Sequence, residues 1–289
     1  MTLAPRIDSL EAGTTGPLSF RNKLINGGFN IWQRNTSFSS LSTYTYTADR
    51  WLTDGALTSV ARTGSNNNVL NFVTPSATQA GIAQRIETAA NSFAAGQVYT
   101  ISFQANCTVA NLQVVVTYRA GNTFKSTQLS VDVSSQLTAG SYSSVRTILT
   151  LTNAPADFAG TDCLQISILT SAANTVNLQN VQVETGTSAT AFEQRPIGLE
   201  TSLCQRYYEF GKASHATSTS TGVSWGMPIV FKIPKRAIPI VSTTQINSNI
   251  GVTGEVNVLV NEYSFAYFLT SNATGTAQVQ LSYTANSEL

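Results

Sequence analysis

Tyr99-Thr100-Ile101-Ser102-Phe103-Gln104-Ala105 sets apolar side chains at the odd positions and polar ones at the even positions. A period of two turns one set toward a core and the other toward water, which predicts a half-buried β-strand. The pattern recurs in Leu112, Val114, Val116 and Tyr118, in Leu164, Ile166 and Ile168, and in Val181 and Val183. Between these runs lie Gly64-Ser65-Asn66-Asn67-Asn68, Ala120-Gly121-Asn122 and Ala159-Gly160-Thr161-Asp162, whose residues accept positive φ or bond their own backbone. Short strands divided by such turns predict an all-β chain with a jelly-roll β-sandwich. Each fully buried aliphatic or aromatic side chain contributes about 1.5–3 kcal/mol, enough in sum to hold two sheets together.

Composition agrees with that reading. At 289 residues the chain is long enough for two domains, each with its own core. Charged residues make up 11% and hydrophobic ones 42%, and Thr, Ser, Asn and Gln fill much of the difference. Lys plus Arg number 16 against 15 Asp plus Glu, and a net charge of +1 gives no field that gathers phosphates, so nucleic acid is excluded as a partner. Cys107, Cys163 and Cys204 are odd in number and lack C-x-x-C spacing; they read as buried small hydrophobes in a reducing cytoplasm. No apolar run approaches the roughly 20 residues that span a bilayer, so no membrane insertion is expected.

Near the start stands Lys23-Leu24-Ile25-Asn26-Gly27-Gly28-Phe29-Asn30-Ile31-Trp32-Gln33-Arg34-Asn35-Thr36-Ser37-Phe38, followed by Tyr46-Thr47-Ala48-Asp49-Arg50-Trp51. This resembles the opening of a bacteriophage tail-fibre or virion structural module, a carbohydrate-binding-like β-sandwich with the pattern L-I-N-G-x-F-x-x-W-Q-R-G-T-S-F and then Y-T-A-D-R-W. It departs at Asn35, where Gly is usual; Asn best tolerates positive φ among the other residues, so the same turn is expected. Val181 to Pro196 and Leu203 to Glu209 resemble the last strand of that sandwich and its connector. The resemblance implies a non-enzymatic receptor-binding protein of the virion, trimeric as phage fibres are, assembled in the host cytoplasm. It also implies a candidate structural calcium at Asn26, Gly27 and Glu184; no other cofactor is expected.

Four segments follow: residues 1–21, polar and interrupted by Pro and Gly, as an arm docking on other virion proteins; 22–195 as the sandwich; 196–210 as a helical connector; and 211–289 as a smaller β-sandwich forming the tip. Pro196 suits a helix's first turn, and Leu199, Leu203, Tyr207 and Phe210 recur at helical spacing. That stripe packs either on its own sandwich or on a threefold axis. In the tip, Ile229, Phe231 and Ile233, then Val256, Val258 and Val260, then Val279, Leu281 and Tyr283 alternate. Tyr263 to Leu269 is apolar on both faces, which suggests a subunit contact. The candidate trimer-interface residues are Leu199, Leu203, Tyr207, Phe265 and Phe268.

Catalytic constellations are weak. His215 stands alone in a loop-like tract, and nothing in the spacing of Asp49, Asp54, Glu87, Asp132, Asp157 and Asp162 selects the carboxylate pair of a depolymerase. Trp51 and Trp32 read as core, whereas Trp225 follows a polar tract as a loop residue would. Loops Ser214 to Trp225, Ile246 to Gly254 and Asn272 to Gly275 carry the candidate sugar-binding residues Trp225, Asn249 and Asn272, with Tyr263 as a further candidate stacking face, suited to a neutral host surface polysaccharide. Lys235 and Arg236 beside Pro234 read as a solvated turn. The alternatives are a capsid or baseplate decoration protein and a short polysaccharide depolymerase.

Overall fold

The computed structural model describes residues 20–289, apart from 67, 76, 77, 88–92, 94, 153–161 and 249–251; of residues 248 and 252–258 it describes the backbone. Most of the expected arm, the turn at 159–161 and the candidate Asn249 therefore lie outside the described residues. The chain forms two compact units, Met1–Pro196 with Leu289, and Ile197–Glu288.

The first unit is an antiparallel β-sandwich. Its strands are β1 (Ser37–Leu41), β2 (Trp51–Asp54), β3 (Leu57–Thr63), β4 (Val69–Thr74), β5 (Ala80–Glu87), β6 (Val98–Cys107), β7 (Gln113–Ala120), β8 (Thr123–Asp132), β9 (Ser143–Thr150), β10 (Asp162–Thr170) and β11 (Asn174–Thr185). One sheet has the order β1-β3-β4-β11-β6-β9 and the other β2-β5-β10-β7-β8. The alternating residues meet between them: Tyr99, Ile101, Phe103, Val181 and Val183 from the first sheet share one core with Val114, Val116, Leu164, Ile166 and Ile168 from the second. Cys107 and Cys163 are buried free thiols in different sheets.

The opening motif folds onto this core. Trp51 is fully buried, its indole N–H donates to the Asn26 carbonyl at 2.9 Å, and its ring lies 5.0 Å from that of Phe29. Gly27 is required by proximity, since a Cβ there would stand 2.1 Å from the Val181 carbonyl oxygen of β11. Asn35 does not take the positive φ expected of it; Asn26, Phe29 and Arg50 do, at 57°, 55° and 71°. The Asn35 side-chain oxygen instead accepts from the amide of Thr36 at 2.7 Å. Asn26 tolerates its conformation because its side chain is tied to both the N–H and C=O of Ile31 and to the Asp49 carbonyl.

A second departure concerns β5 and β10, which are buried on both faces. Polar positions expected to meet water form an internal network: Arg85 Nε donates to Gln165 at 3.0 Å and Nη2 to Asn122 at 2.8 Å, while Gln165 and Ser167 donate to Asp54. The Tyr44 ring lies 4.9 Å from the Arg85 guanidinium and 5.2 Å from that of Arg119. Stacking against an aromatic face and hydrogen bonding to buried partners are what make such burial tolerable.

The second unit opens with helix α1 (Ile197–Gln205) and continues through β12 (Tyr208–Thr219), β13 (Ser224–Val230), β14 (Ile240–Ser248), β15 (Val252–Val258), β16 (Ser264–Ser271) and β17 (Gly275–Asn286). Two three-stranded sheets result, β12-β17-β14 and β13-β16-β15. Met227, Ile229, Phe231, Phe265, Tyr267, Leu269, Val279, Leu281 and Tyr283 fill the space between them.

Three expectations are corrected here. The helix stops at Gln205 rather than 210, because pairing of Tyr208 with Asn286 captures the chain into β12. The buried helical residues are Glu200, Cys204 and Gln205, whereas Leu199 is 37% exposed and Tyr207 is buried beyond the helix, so Leu199, Leu203 and Tyr207 form no common stripe. Phe265 is 1% exposed inside the unit's own core and cannot face another subunit; Phe268, on the outer face of β16, can. That strand is apolar inward through Phe265, Tyr267 and Leu269, while its outer side alternates Ser264, Ala266, Phe268 and Thr270.

Lys235 is likewise not solvated. Its ammonium lies 2.6 Å from the Glu209 carboxylate, both side chains are fully buried, and it donates also to the Gln205 carbonyl at 2.6 Å. Glu209 accepts further from the Tyr283 hydroxyl at 2.7 Å and the Lys232 amide at 3.1 Å. Burial lowers the Lys235 pKa from its usual value and the Glu209 contact opposes that shift.

Candidate functional site

Of the expected sugar-binding residues, the three that are described, Trp225, Tyr263 and Asn272, do not converge. Trp225 is the second residue of β13, opposite Leu269, rather than a loop residue. Its indole is half-buried, donates to Ser271 Oγ at 3.0 Å, and lies 5.4 Å from the ring of His215. His215 itself is on β12, paired with Val279, so the tract from Ser214 to Thr219 is strand. Asn272 follows Ser271 directly and therefore belongs to the Trp225 end of β16. Tyr263, 64% exposed, precedes the opposite end. At about 3.3 Å per residue, a seven-residue separation along a strand places these ends roughly 20 Å apart.

What the fold does assemble is the outer face of β12-β17-β14. The period of two that sends Val279, Leu281 and Tyr283 inward sends Gln278, Gln280, Ser282 and Thr284 outward. Cross-strand register sets Ser214 opposite Gln280 and Ala216 opposite Gln278 on one side, and Ser242 opposite Thr284 and Thr244 opposite Ser282 on the other. An irregularity between Gln245 and Asn247 brings Asn247 opposite Gln280. Such a bulge re-aims a side chain by adding one residue to one strand.

There a groove of about 270 Å³ is lined by Ser214, His215, Ala216, Asn247, Gln278, Val279 and Gln280. Three amides and a hydroxyl supply donors and acceptors side by side, Ala216 keeps the floor low, and no carboxylate, Lys or Arg lines it. The lining can thus donate and accept hydrogen bonds without presenting a carboxylate, ammonium or guanidinium. Its signal was present in Gln278-Val279-Gln280-Leu281-Ser282, an alternation whose outward positions are polar without charge.

The candidate calcium ligands do not fit a cation. The Glu184 carboxylate accepts from the Thr190 amide at 2.8 Å, the Thr190 hydroxyl at 2.6 Å and the Gln182 amide at 2.9 Å. The Asn26 carbonyl accepts from Trp51 and from the amide of Phe29, and the Gly27 carbonyl from the amide of Val181. A hard cation takes six or more oxygens, and these are engaged by N–H and O–H donors. Among the described residues no three His, Cys, Asp or Glu side chains gather in a metal-binding group.

Four of the acidic residues weighed for hydrolysis, Asp49, Asp54, Asp132 and Asp162, are also engaged. Asp49 accepts from the amide of Gln33 at 2.9 Å and pairs with Arg34 at 3.8 Å; Asp54 accepts from Ser167 at 2.6 Å and Gln165 at 3.0 Å; Asp162 accepts from the Tyr118 hydroxyl at 2.5 Å. Asp132 accepts from Ser134, which lowers its pKa. Asp157 lies outside the described residues.

No protein-family model matches the chain, and neither does any curated protein. Among solved structures it is similar to the N-terminal cellulose-binding domain of a Cellulomonas fimi β-1,4-glucanase C, at 16% identity over 48% of this chain and 90% of that one, with a TM-score of 0.31. A putative sugar binding protein from Bacteroides thetaiotaomicron matches at 16% identity over 57% of this chain and all of that one, with a TM-score of 0.37. The enzymatically active domain of tailspike protein 4 from bacteriophage CBA120 matches at 11% identity over 57% of this chain and 22% of that one, with a TM-score of 0.36. Likeness of this extent says nothing about what this chain binds.

Proposed function

We propose that this chain is a non-catalytic structural protein of a bacteriophage virion that binds an uncharged glycan of the host surface. The observation that carries the glycan reading is the groove on β12-β17-β14, whose lining offers neutral hydrogen-bonding groups in register. Ring hydroxyls both donate and accept, so they match amides and hydroxyls better than an ionised lining would. The virion reading rests on the motif from Lys23 to Trp51, which resembles the opening of phage fibre modules.

In this reading the chain assembles as a homotrimer. Support comes from apolar side chains exposed on the second unit: Ile197 at 60% and Leu199 on α1, with Val230 at 73% and Phe268 on the outer face of β13-β16-β15. Association would bury them. Light scattering on the full chain tests this: a trimer at micromolar concentration is expected, and a monomer refutes it. For recognition, Gln280→Ala and Asn247→Ala are expected to abolish adsorption of the protein to host cells while leaving the fold intact by circular dichroism. Full adsorption by both variants refutes the site, and release of reducing ends from host polysaccharide refutes the non-catalytic reading.

A further inference from the structure

The first unit carries a second groove, on the outer face of its six-stranded sheet, with a different chemistry. It encloses about 300 Å³ and is lined by Ser102 and Gln104 of β6, Ser144 and Arg146 of β9, Asn180, and the segment Ala189–Phe192. Cross-strand register pairs Ser102 with Arg146 and Gln104 with Ser144, so these four side chains share one face.

Both the wall and the backbone that carries the cation are held in place. Inside the sheet face, the buried Glu184 and Gln182 grip the wall: Glu184 accepts from Thr190, and Gln182 accepts from the amide of Glu193 at 2.8 Å. The Phe192 ring packs over Gly28, about 3.5 Å from where a Cβ would stand. On the opposite side, β9 is an edge strand, and the Gln136 side chain bonds both the N–H and the C=O of Arg146 at 2.9 and 3.0 Å. Among the described residues, the Arg146 guanidinium makes no hydrogen bond or ion pair of its own. The Gln104 carbonyl accepts from Gln179 and Asn180, which turns its NH₂ outward as a donor.

The groove is thus rich in donors, with one cationic fork, two hydroxyls, an amide NH₂ and an aromatic wall. The nearby carboxylates are already engaged, Glu184 by Thr190 and Gln182, and Glu193 by the amides of Phe20 and Asn22 and by Arg195 at 3.6 Å. We infer that this groove is a separate binding site for a carboxylate-bearing sugar, whose carboxylate meets Arg146, whose hydroxyls meet Ser102, Ser144 and Gln104, and whose apolar ring face meets Phe192. The planar fork of Arg matches a carboxylate with two parallel bonds, and an aromatic face suits the C–H side of a pyranose. This site is independent of the neutral groove in the second unit.

The test is a titration of the full chain with methyl β-D-glucuronide, with methyl β-D-glucoside and with N-acetyl-glutamate methylamide, followed by amide chemical shifts. The glucuronide is expected to shift Ser102, Gln104, Ser144 and Thr190, and to bind at least about tenfold more tightly than the other two. Arg146→Gln, on an exposed side chain, is expected to erase that preference with unchanged melting temperature, and Phe192→Leu to weaken the glucuronide while sparing the fold. Equal affinity for glucoside and glucuronide overturns the proposal. So does equal affinity for the glutamate derivative, which makes this a peptide site, and so do shifts confined to other residues or binding retained in Arg146→Gln. Gln280→Ala is expected to leave glucuronide affinity unchanged, which separates this site from the one in the second unit.

Discussion

Replacing Glu209 by Leu should be among the most damaging single changes in the second unit. Its carboxylate is the shared acceptor of the Lys235 ammonium, the Tyr283 hydroxyl and the Lys232 amide, and it is fully buried. Without it, Lys235 keeps the Gln205 carbonyl and the face of Phe231, 4.9 Å away, but no counter-charge. Stranding one partner of a buried ion pair costs about 3–5 kcal/mol, and the further loss at Tyr283 and Lys232 places Glu209→Leu at the upper end. Lys235→Met falls at the lower end, since the carboxylate keeps two donors. The double variant should cost less than the sum by at least about 2 kcal/mol, because the apolar pair leaves no unpaired charge. Native-state hydrogen exchange at the β12 and β17 amides of the full chain reports these stabilities. Single variants within about 1 kcal/mol of the parent, or strict additivity in the double, refute the reasoning.

Three further outcomes are expected. Trp51→Ala should lose about 3–5 kcal/mol in urea denaturation, as other buried aromatic truncations do, since its ring and indole N–H are both committed to the core. Gly27→Ala should destabilise by more than about 1–3 kcal/mol by the same assay, because the obstacle is the backbone carbonyl of Val181 and not a flexible side chain. Burial pushes the Cys107 thiol from 9.0 up to about 11. The folded state thus holds its proton more tightly, and that contribution is complete below pH 9.0 and lost as pH rises through about 11. Thiol titration should show Cys107 unreactive at pH 8 until the chain unfolds.

The strands that bound the main core were legible because water lies on one side of them: Tyr99, Ile101 and Phe103 declare an inward face only by contrast with polar neighbours. Where both faces are covered the contrast vanishes in meaning. Gln165 and Ser167 look solvent-facing in sequence, yet they lie in a network with Arg85 and Asp54, residues about 80 and 110 positions away. Lys235 misled for the same reason, since its partner Glu209 is distant in sequence and nothing local marks a buried charge. Trp225 and the tract around His215 read as loop because Ser and Thr favour turns, but pairing of β13 with β16 and of β12 with β17 overrides that preference. In the candidate groove the outward Gln278 and Gln280 were visible as an alternation; their meeting with Asn247 depends on a bulge that no short-range pattern announces. Phe265 and Phe268 show how fine the margin is, three positions apart on one strand and on opposite faces of the sheet.

Recognition of a neutral glycan by the second unit is tested most directly by binding the full chain, beside Gln280→Ala, to an array of uncharged host-type oligosaccharides at about 50 and 300 mM salt, a range over which screening of exposed charges becomes strong. The parent is expected to bind with little change across that range and Gln280→Ala to lose binding, whereas no binding to any uncharged glycan, or equal binding by Gln280→Ala, contradicts recognition at this groove.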